Sequence, residues 1–207
     1  MSHFSEIFIS SFSNIQYNTM AQYDLDGLRV AILLTDNFEQ VEMTEPRKAL
    51  DEAGAETILI SPKEGEVRGI NHDKPGDTFK VDLPMERANP DDFDAVMLPG
   101  GALNADTLRA DSKAEEFIRK MNADDKPIAF ICHAPWLIIS AGLARNRRFT
   151  GYHTIKDDII NAGGNYEDTE VIRDKNWVSS RQPKDIPAFN REMLQLFSEH
   201  VPHPATT

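Results

Sequence analysis

The sequence has a single cysteine, fewer basic than acidic residues, and no long apolar run. One cysteine among 207 residues cannot form an internal disulfide, so the fold does not depend on an oxidising compartment. No stretch approaches the roughly 18 consecutive apolar residues of a membrane span. The 22 Lys and Arg against 34 Asp and Glu give a net charge of −12, whereas a nucleic-acid-binding surface needs a clustered basic excess. We therefore expect neither a membrane nor a nucleic acid as a partner.

The composition, 40% hydrophobic and 27% charged, is typical of one globular domain. The first twenty residues contain no Lys or Arg and so lack the basic segment that begins a secretory signal, which predicts a cytoplasmic protein. We expect residues 1–26 to be an N-terminal extension that is either disordered or an incorrectly assigned start, because Met20 would be a natural beginning. Residues 27–200 should form the domain, and 201–207 a tail.

Short apolar runs alternate with amphipathic segments along the domain. Strand–helix–strand alternation of this kind predicts a parallel sheet covered by helices on both faces. The sequence therefore indicates a single doubly wound α/β domain with a mostly parallel sheet and a β-hairpin excursion. The predicted strands are 28–35, 55–61, 93–100 and 126–132, the predicted helices are 39–54, 111–125, 134–143 and 185–200, and the predicted hairpins are 66–85 and 169–183.

The only cysteine, Cys132, lies where the strand 126–131 should meet the next helix, and His133 and Pro135 interrupt the apolar run there. A nucleophile on a sharp strand-to-helix turn is exposed at the edge of the sheet. A thiol at a helix N-terminus should also have a lowered pKa, because unpaired backbone N–H groups stabilise the thiolate. This pattern alone does not exclude the alternative, a buried core cysteine with no chemical role.

Two further segments follow predicted strands, whose carboxyl ends share one edge of such a sheet. The "LPGG" segment, 98–101, can bring backbone N–H groups close to a ligand, so the amides of Gly101 and His133 could form an oxyanion hole. A plain turn is the alternative. In the acidic segment 36–46, Glu42 could lie beside Cys132, or could only complement a helix dipole as Glu39 could.

These motifs together resemble the DJ-1/PfpI superfamily, in particular its PfpI-like branch, from about Leu28 to Leu196. The resemblance is carried by "DNFEQVE…EP", "LPGG", "ICHAPW" and the late run "GYHTIKDDIINAGG…EVIRDKNWVSSRQPKDIPAF". It implies a flavodoxin-like fold of the class I glutamine amidotransferase type. It also implies a homo-oligomer, either a dimer or a hexamer built from dimers.

The resemblance further implies roles for individual residues. Cys132 would be the nucleophile in a strained conformation, with Glu42 hydrogen-bonded to its sulfur and the Gly101 and His133 amides as oxyanion donors. His133 would act as a base, and Asp106 of a neighbouring subunit would complete a triad with it. The residues expected to line the substrate site are Tyr152, Trp136 and Glu39.

The function that this resemblance implies is a stress-protective enzyme acting on small reactive carbonyls, of glyoxalase III or deglycase type, through a hemithioacetal at Cys132. One alternative is an intracellular cysteine protease of PfpI type, active on peptides as an oligomer. Another is a non-catalytic redox sensor that works by oxidation of Cys132. None of these readings requires a metal or an organic cofactor.

Overall fold

Runs of Val, Ile, Leu and Ala form the central strands of the protein, and the computed structural model describes residues 23–201. In chain order the strands are β1 (Arg29–Leu33), β2 (Phe38–Glu39), β3 (Glu56–Ser61), β4 (Glu66–Asn71), β5 (Lys74–Lys80), β6 (Leu83–Pro84), β7 (Ala95–Leu98), β8 (Ile128–Ile131), β9 (Arg148–Phe149), β10 (Asn165–Tyr166), β11 (Val171–Asp174) and β12 (Trp177–Ser180). The α-helices are α1 (Gln40–Glu52), α2 (Ala102–Leu108), α3 (Ser112–Ala123), α4 (Pro135–Ser140), α5 (Lys156–Asn161) and α6 (Ile186–Ser198). Single 3-10 turns span Met85–Arg87, Pro90–Asp92, His153–Ile155 and Pro183–Asp185.

Seven strands form the main sheet, in the order β11-β12-β8-β7-β1-β3-β6. All neighbouring pairs in it are parallel except β11 with β12, which is an antiparallel edge hairpin. A second, three-stranded sheet, β2-β4-β5, contains the hairpin β4–β5. The doubly wound α/β domain with a hairpin excursion is therefore confirmed.

Side chains on the central strands point alternately to the two faces of the sheet. In β1, Val30 and Ile32 belong to one core cluster and Ala31 and Leu33 to the other, and all four have 0% exposure. Helices α1 and α6 contribute to the first cluster, and α3 and α4 contribute to the second. Burial on both faces explains why these strands are continuously apolar.

The parallel arrangement brings three loops to one edge of the sheet. β7 pairs with both β1 and β8, so the loops after β1, β7 and β8 leave adjacent strands at their carboxyl ends. These loops carry the acidic segment, the "LPGG" segment and Cys132, respectively. The fold thus assembles the three motifs that the sequence places far apart.

The predicted elements correspond to the observed ones, with shorter bounds. The helix predicted at 134–143 covers only Pro135–Ser140, and the second hairpin is not an excursion, because β12 pairs with β8 inside the main sheet. Helices α2 and α5 were not predicted. Both are short; α2 begins directly after Gly101, whose φ is +90°, and α5 begins directly after the 3-10 turn His153–Ile155. The predictions for residues 1–22 and 202–207 lie outside the described residues. Within 23–201, no helix combines the length and the apolar character that crossing a membrane would require.

Phe130, in the middle of β8, supports the second core cluster. Its ring makes edge-to-face contacts with Phe149 and Trp177, with centroid distances of 5.9 and 5.6 Å. Phe130→Ala should lower the free energy of unfolding by about 3–5 kcal/mol, because it removes a fully buried ring and leaves a cavity. Urea denaturation measures this change. The control is Ile160→Ala on α5, where the side chain is 48% exposed and the loss should stay below about 1 kcal/mol. Equal losses in both variants would contradict the assignment of Phe130 to the core.

Candidate active site

Cys132 follows β8 with a backbone φ of +64°, in the left-handed region that side chains other than glycine rarely adopt. Its N–H donates to the carbonyl of Ser180 at 3.1 Å, and its carbonyl accepts from the N–H of Tyr152 at 2.7 Å. These bonds hold a conformation that is unfavourable by about 1–3 kcal/mol. Strain of this kind, imposed by well-ordered neighbours, is typical of functional positions.

The carboxyl group of Glu42 lies against the Cys132 thiol. The Glu42 side chain has 0% exposure, and its Oε2 accepts a hydrogen bond from the Gly100 N–H at 3.1 Å. Its Oε1 is buried without a well-aligned partner among residues 23–201. Burial raises the pKa of Glu42 to about 8; hydrogen bonds from Cys132 and Gly100 oppose this rise, and the charge of Glu39 adds to it. The carboxyl group is therefore mostly protonated at neutral pH.

The Cys132 pKa differs from the sequence prediction. Burial raises the pKa of the thiol above its ordinary value, and the negative charge of Glu42, when ionised, raises it further. The backbone N–H groups of Gly101 and His133 face the sulfur and lower the pKa, but by less. The expectation of a lowered pKa was wrong because Cys132 is only 7% exposed, and desolvation of the thiolate outweighs the local N–H groups.

His133 is in contact with the thiol. Its Nδ1 lies 3.2 Å from Cys132 Sγ, and its Nε2 lies 3.4 Å from Thr154 Oγ1. Burial lowers the pKa of His133 below its ordinary value, and the nearby charge of His153 lowers it further. A neutral imidazole at neutral pH can accept the thiol proton.

The two glycines of the "LPGG" segment are required by space. A Cβ on Gly100 would lie 2.5 Å from Cys132 Cβ and closer still to Glu42 Oε2. Gly101 has φ +90°, and a Cβ there would lie 2.5 Å from the carbonyl oxygen of Asn37. Only glycine allows the backbone to approach the thiol this closely.

Aromatic rings surround His133 at the half-buried rim of the site. The centroids of Tyr152 and Trp136 lie 4.9 and 5.3 Å from that of His133, and His153 lies 4.4 Å from Tyr152. The guanidinium of Arg109 lies over the Trp136 ring, 5.4 Å from its centroid. The predicted lining residues Tyr152 and Trp136 are therefore next to the predicted base.

No described contact joins the other two predicted site residues to the thiol. Glu39 is at the entry to α1, and both of its carboxylate oxygens accept from the N–H of His72, at 3.3 and 3.2 Å. Asp106 is exposed on α2, and its side chain has no hydrogen bond or ion pair within residues 23–201. A single chain brings together Cys132, Glu42 and His133, and no described contact joins Asp106 to them.

Several residues of the site were not identified from the sequence. Gly100 belongs to the recognised "LPGG" segment, but nothing in the pattern set it apart, and Arg109 lies outside the recognised motifs. Thr154 and Asn104 are polar residues in segments without a regular period, and only the three-dimensional arrangement shows their contacts. The described residues contain no group of three or more His, Cys, Asp or Glu side chains suited to hold a metal ion.

Comparison with known proteins shows the family to which the chain belongs. The model of the DJ-1/PfpI family matches residues 28–196. "Deglycase PYRAB04690" of Pyrococcus abyssi is 48% identical over 169 residues, which cover 82% of this chain and 99% of the relative. "General stress protein 18" of Bacillus subtilis is 42% identical over 176 residues, which cover 84% and 99%. A crystal structure of an Anabaena variabilis protein with DJ-1/ThiJ/PfpI-like and ferritin-like domains has a TM-score of 0.76 at 29% identity, covering 81% of this chain and 49% of that one.

The raised pKa of Glu42 makes the stability of the protein depend on pH. Between the ordinary carboxyl pKa of 4.5 and the folded pKa of about 8, the folded state keeps a proton that the unfolded state loses. The contribution of Glu42 is therefore fully present below pH 4.5 and is lost as the pH rises to 8, at up to about 1.4 kcal/mol per pH unit. Glu42→Gln should remove this slope, as measured by urea denaturation from pH 5 to 8.

The matched control is Glu45→Gln, which changes an exposed carboxylate on the same helix. Its stability should follow that of the wild type at each pH. If the curves of Glu42→Gln and wild type were parallel over this range, Glu42 would not hold a proton in the folded state.

Proposed function

Because the chain belongs to the DJ-1/PfpI family, we propose that it is a stress-protective cysteine enzyme that converts small reactive carbonyls, such as methylglyoxal, to hydroxy acids. One observation carries this proposal. A buried thiol, Cys132, lies between a carboxyl group that holds a proton near neutral pH, Glu42, and a neutral imidazole, His133. This set can move protons without a metal or a cofactor.

In the first step His133 Nδ1 accepts the thiol proton and the sulfur attacks the aldehyde carbon. The sulfur electron pair forms the C–S bond, and the carbonyl π pair moves to oxygen. The amides of Gly101 and His133, which face the sulfur, would stabilise the developing oxyanion. Proton transfer from the imidazolium to that oxygen completes a hemithioacetal on Cys132.

In the second step a proton moves between the two carbons of the substrate. A base, the neutral His133 or the ionised Glu42, removes the proton from the hemithioacetal carbon and gives an enediol. Return of a proton to the adjacent carbon gives a thioester of the hydroxy acid, and water hydrolyses it to release lactate and the thiol. The sum is methylglyoxal plus water to lactic acid, so no external oxidant or reductant is needed. A carboxyl pKa of about 8 suits both directions of proton transfer near neutral pH.

The names of the relatives support the same class of chemistry. The P. abyssi relative is named as a deglycase and the B. subtilis relative as a general stress protein. Deglycation removes the adducts that reactive carbonyls form with nucleophilic groups, so a deglycase and a carbonyl-converting enzyme would act on related electrophilic carbons. We include the deglycase reaction in the proposed class.

The second candidate function is a cysteine peptidase, which the Cys132–His133 contact of 3.2 Å favours. This function needs a carboxylate that hydrogen-bonds to the His133 imidazole, and Asp106 of a neighbouring subunit would have to provide it. The exposure of Asp106 on α2, together with the 61% exposure of Leu103 on the same helix, supports a homo-oligomer with α2 at an interface.

The first measurement is methylglyoxal consumption with lactate formation, comparing wild type with Cys132→Ser at equal oligomeric state. Loss of the thiol should reduce lactate formation by about 100-fold or more, because a serine hydroxyl at the same place is a much weaker nucleophile. Circular dichroism and size-exclusion chromatography show whether the two proteins are otherwise the same.

Asp106→Asn distinguishes the two candidate functions. It should leave lactate formation within about twofold of wild type, and it should abolish peptide hydrolysis if the peptidase reading is correct. Lactate formation that persists in Cys132→Ser, or no lactate formation by the wild type, would refute the carbonyl enzyme.

A further inference from the structure

The peptide unit between Gly100 and Gly101 determines whether the thiol faces an N–H group or a carbonyl oxygen. In a trans peptide the carbonyl oxygen and the N–H point in opposite directions. Here the N–H of Gly101 faces the Cys132 sulfur and lowers the pKa of the thiol. The carbonyl oxygen of Gly100 points away from it and accepts from the Asn104 side chain at 2.9 Å and from the Glu39 N–H at 3.3 Å.

Asn104, on α2, is buried with 0% exposure and uses both ends of its amide. Its Oδ1 accepts from the N–H of Thr35 at 2.7 Å, and its Nδ2 donates to the carbonyls of Pro99 and Gly100 at 3.2 and 2.9 Å. Exchanging the oxygen and nitrogen would place an NH₂ group against a backbone N–H, so the orientation of the amide is fixed. Asn104 thereby joins the loop after β1 to the loop after β7.

This link matters because the segment it holds consists of two glycines. Glycine has the widest backbone freedom of all residues, and rotation of the Gly100–Gly101 peptide would turn its carbonyl oxygen toward the sulfur. A carbonyl dipole there would destabilise a thiolate or an oxyanion that the N–H stabilises. Hydrogen bonds to the Gly100 carbonyl oppose that rotation, since rotation would leave one of the two Asn104 N–H donors and the Glu39 N–H without a partner in the interior.

We propose that Asn104 is a positioning residue: it holds the Gly100–Gly101 peptide in the orientation that points the Gly101 N–H at Cys132. Asn104 does not touch the sulfur and acts through the peptide alone. The inference rests on the proposed role of Cys132 as the nucleophile. It does not depend on which substrate the nucleophile attacks.

The test is the pH profile of Cys132 alkylation by iodoacetamide, from pH 7 to 10, in wild type and in Asn104→Ala. Loss of the Gly101 N–H should shift the midpoint of the profile to higher pH by about one unit. At a fixed pH below the midpoint, alkylation should therefore be about tenfold slower. Lactate formation should show a lower kcat with a nearly unchanged KM, because an oxyanion donor acts mainly in the transition state. Asn104→Leu, which fills the space without donating, should behave in the same way and serves if Asn104→Ala does not fold.

The matched control is Asn176→Ala. Asn176 is also buried, at 5% exposure, and also donates to a backbone carbonyl, that of Lys126 at 2.9 Å, but at the opposite end of β8. Its alkylation profile should equal that of the wild type even if its melting temperature falls. A wild-type profile in a folded Asn104 variant, or the same shift in Asn176→Ala, would overturn the inference. The alkylation readout involves no turnover, so it stands apart from the test of the proposed function.

Discussion

A carboxyl group and a thiol are buried against each other without a basic side chain paired to the carboxyl group, and the chemistry of the site depends on that contact. Glu42 has no exposed surface and no ion pair within residues 23–201, so its ionisation would place an uncompensated charge in the interior. The pKa of about 8 is the result. The thiol beside it is also hard to ionise, because an ionised Glu42 would repel the thiolate. The two groups therefore hold their protons together, and a base is needed to remove one. His133, with its lowered pKa and its Nδ1 at 3.2 Å from the sulfur, is in the position of that base.

The rest of the fold keeps this contact in place. Glu42 lies on α1 and Cys132 at the end of β8, and Gly100 fills the space between them because any larger residue would collide with both. The left-handed conformation of Cys132 is held by backbone hydrogen bonds to Ser180, in the neighbouring strand β12, and to Tyr152, in the loop after β9. Rigid neighbours on both sides maintain a strained residue that an isolated loop would relax.

The parts of this arrangement that depend on periodicity could be predicted from the sequence. The apolar runs around Ile32 and Phe130 are continuous because both faces of the sheet are covered. Such runs identify the buried strands, and the amphipathic segments between them identify the longer helices and the order of the elements. Cys132 was identified because His133 and Pro135 interrupt such a run. Glu42 could only be placed beside the thiol by resemblance, since spacing does not distinguish it from Glu39 or Glu45. Asn104 and Thr154 act through contacts between distant segments, and the sign of the thiol pKa shift depends on burial, which local sequence does not determine.

The partner of His133 bears on which reaction the site supports best. A peptidase must protonate an amine leaving group, and a carboxylate that stabilises the imidazolium assists this. Within the described chain the Nε2 of His133 faces the hydroxyl of Thr154 at 3.4 Å, and a neutral hydroxyl gives an imidazolium far less stabilisation than a carboxylate. An aldehyde is a stronger electrophile than an amide, and the hemithioacetal route has no amine to expel. It needs only a base that accepts a proton briefly and an acid that returns one, which a neutral His133 and a protonated Glu42 can provide. The site of a single chain is therefore better matched to a small carbonyl, and peptide hydrolysis would require a carboxylate from a second copy.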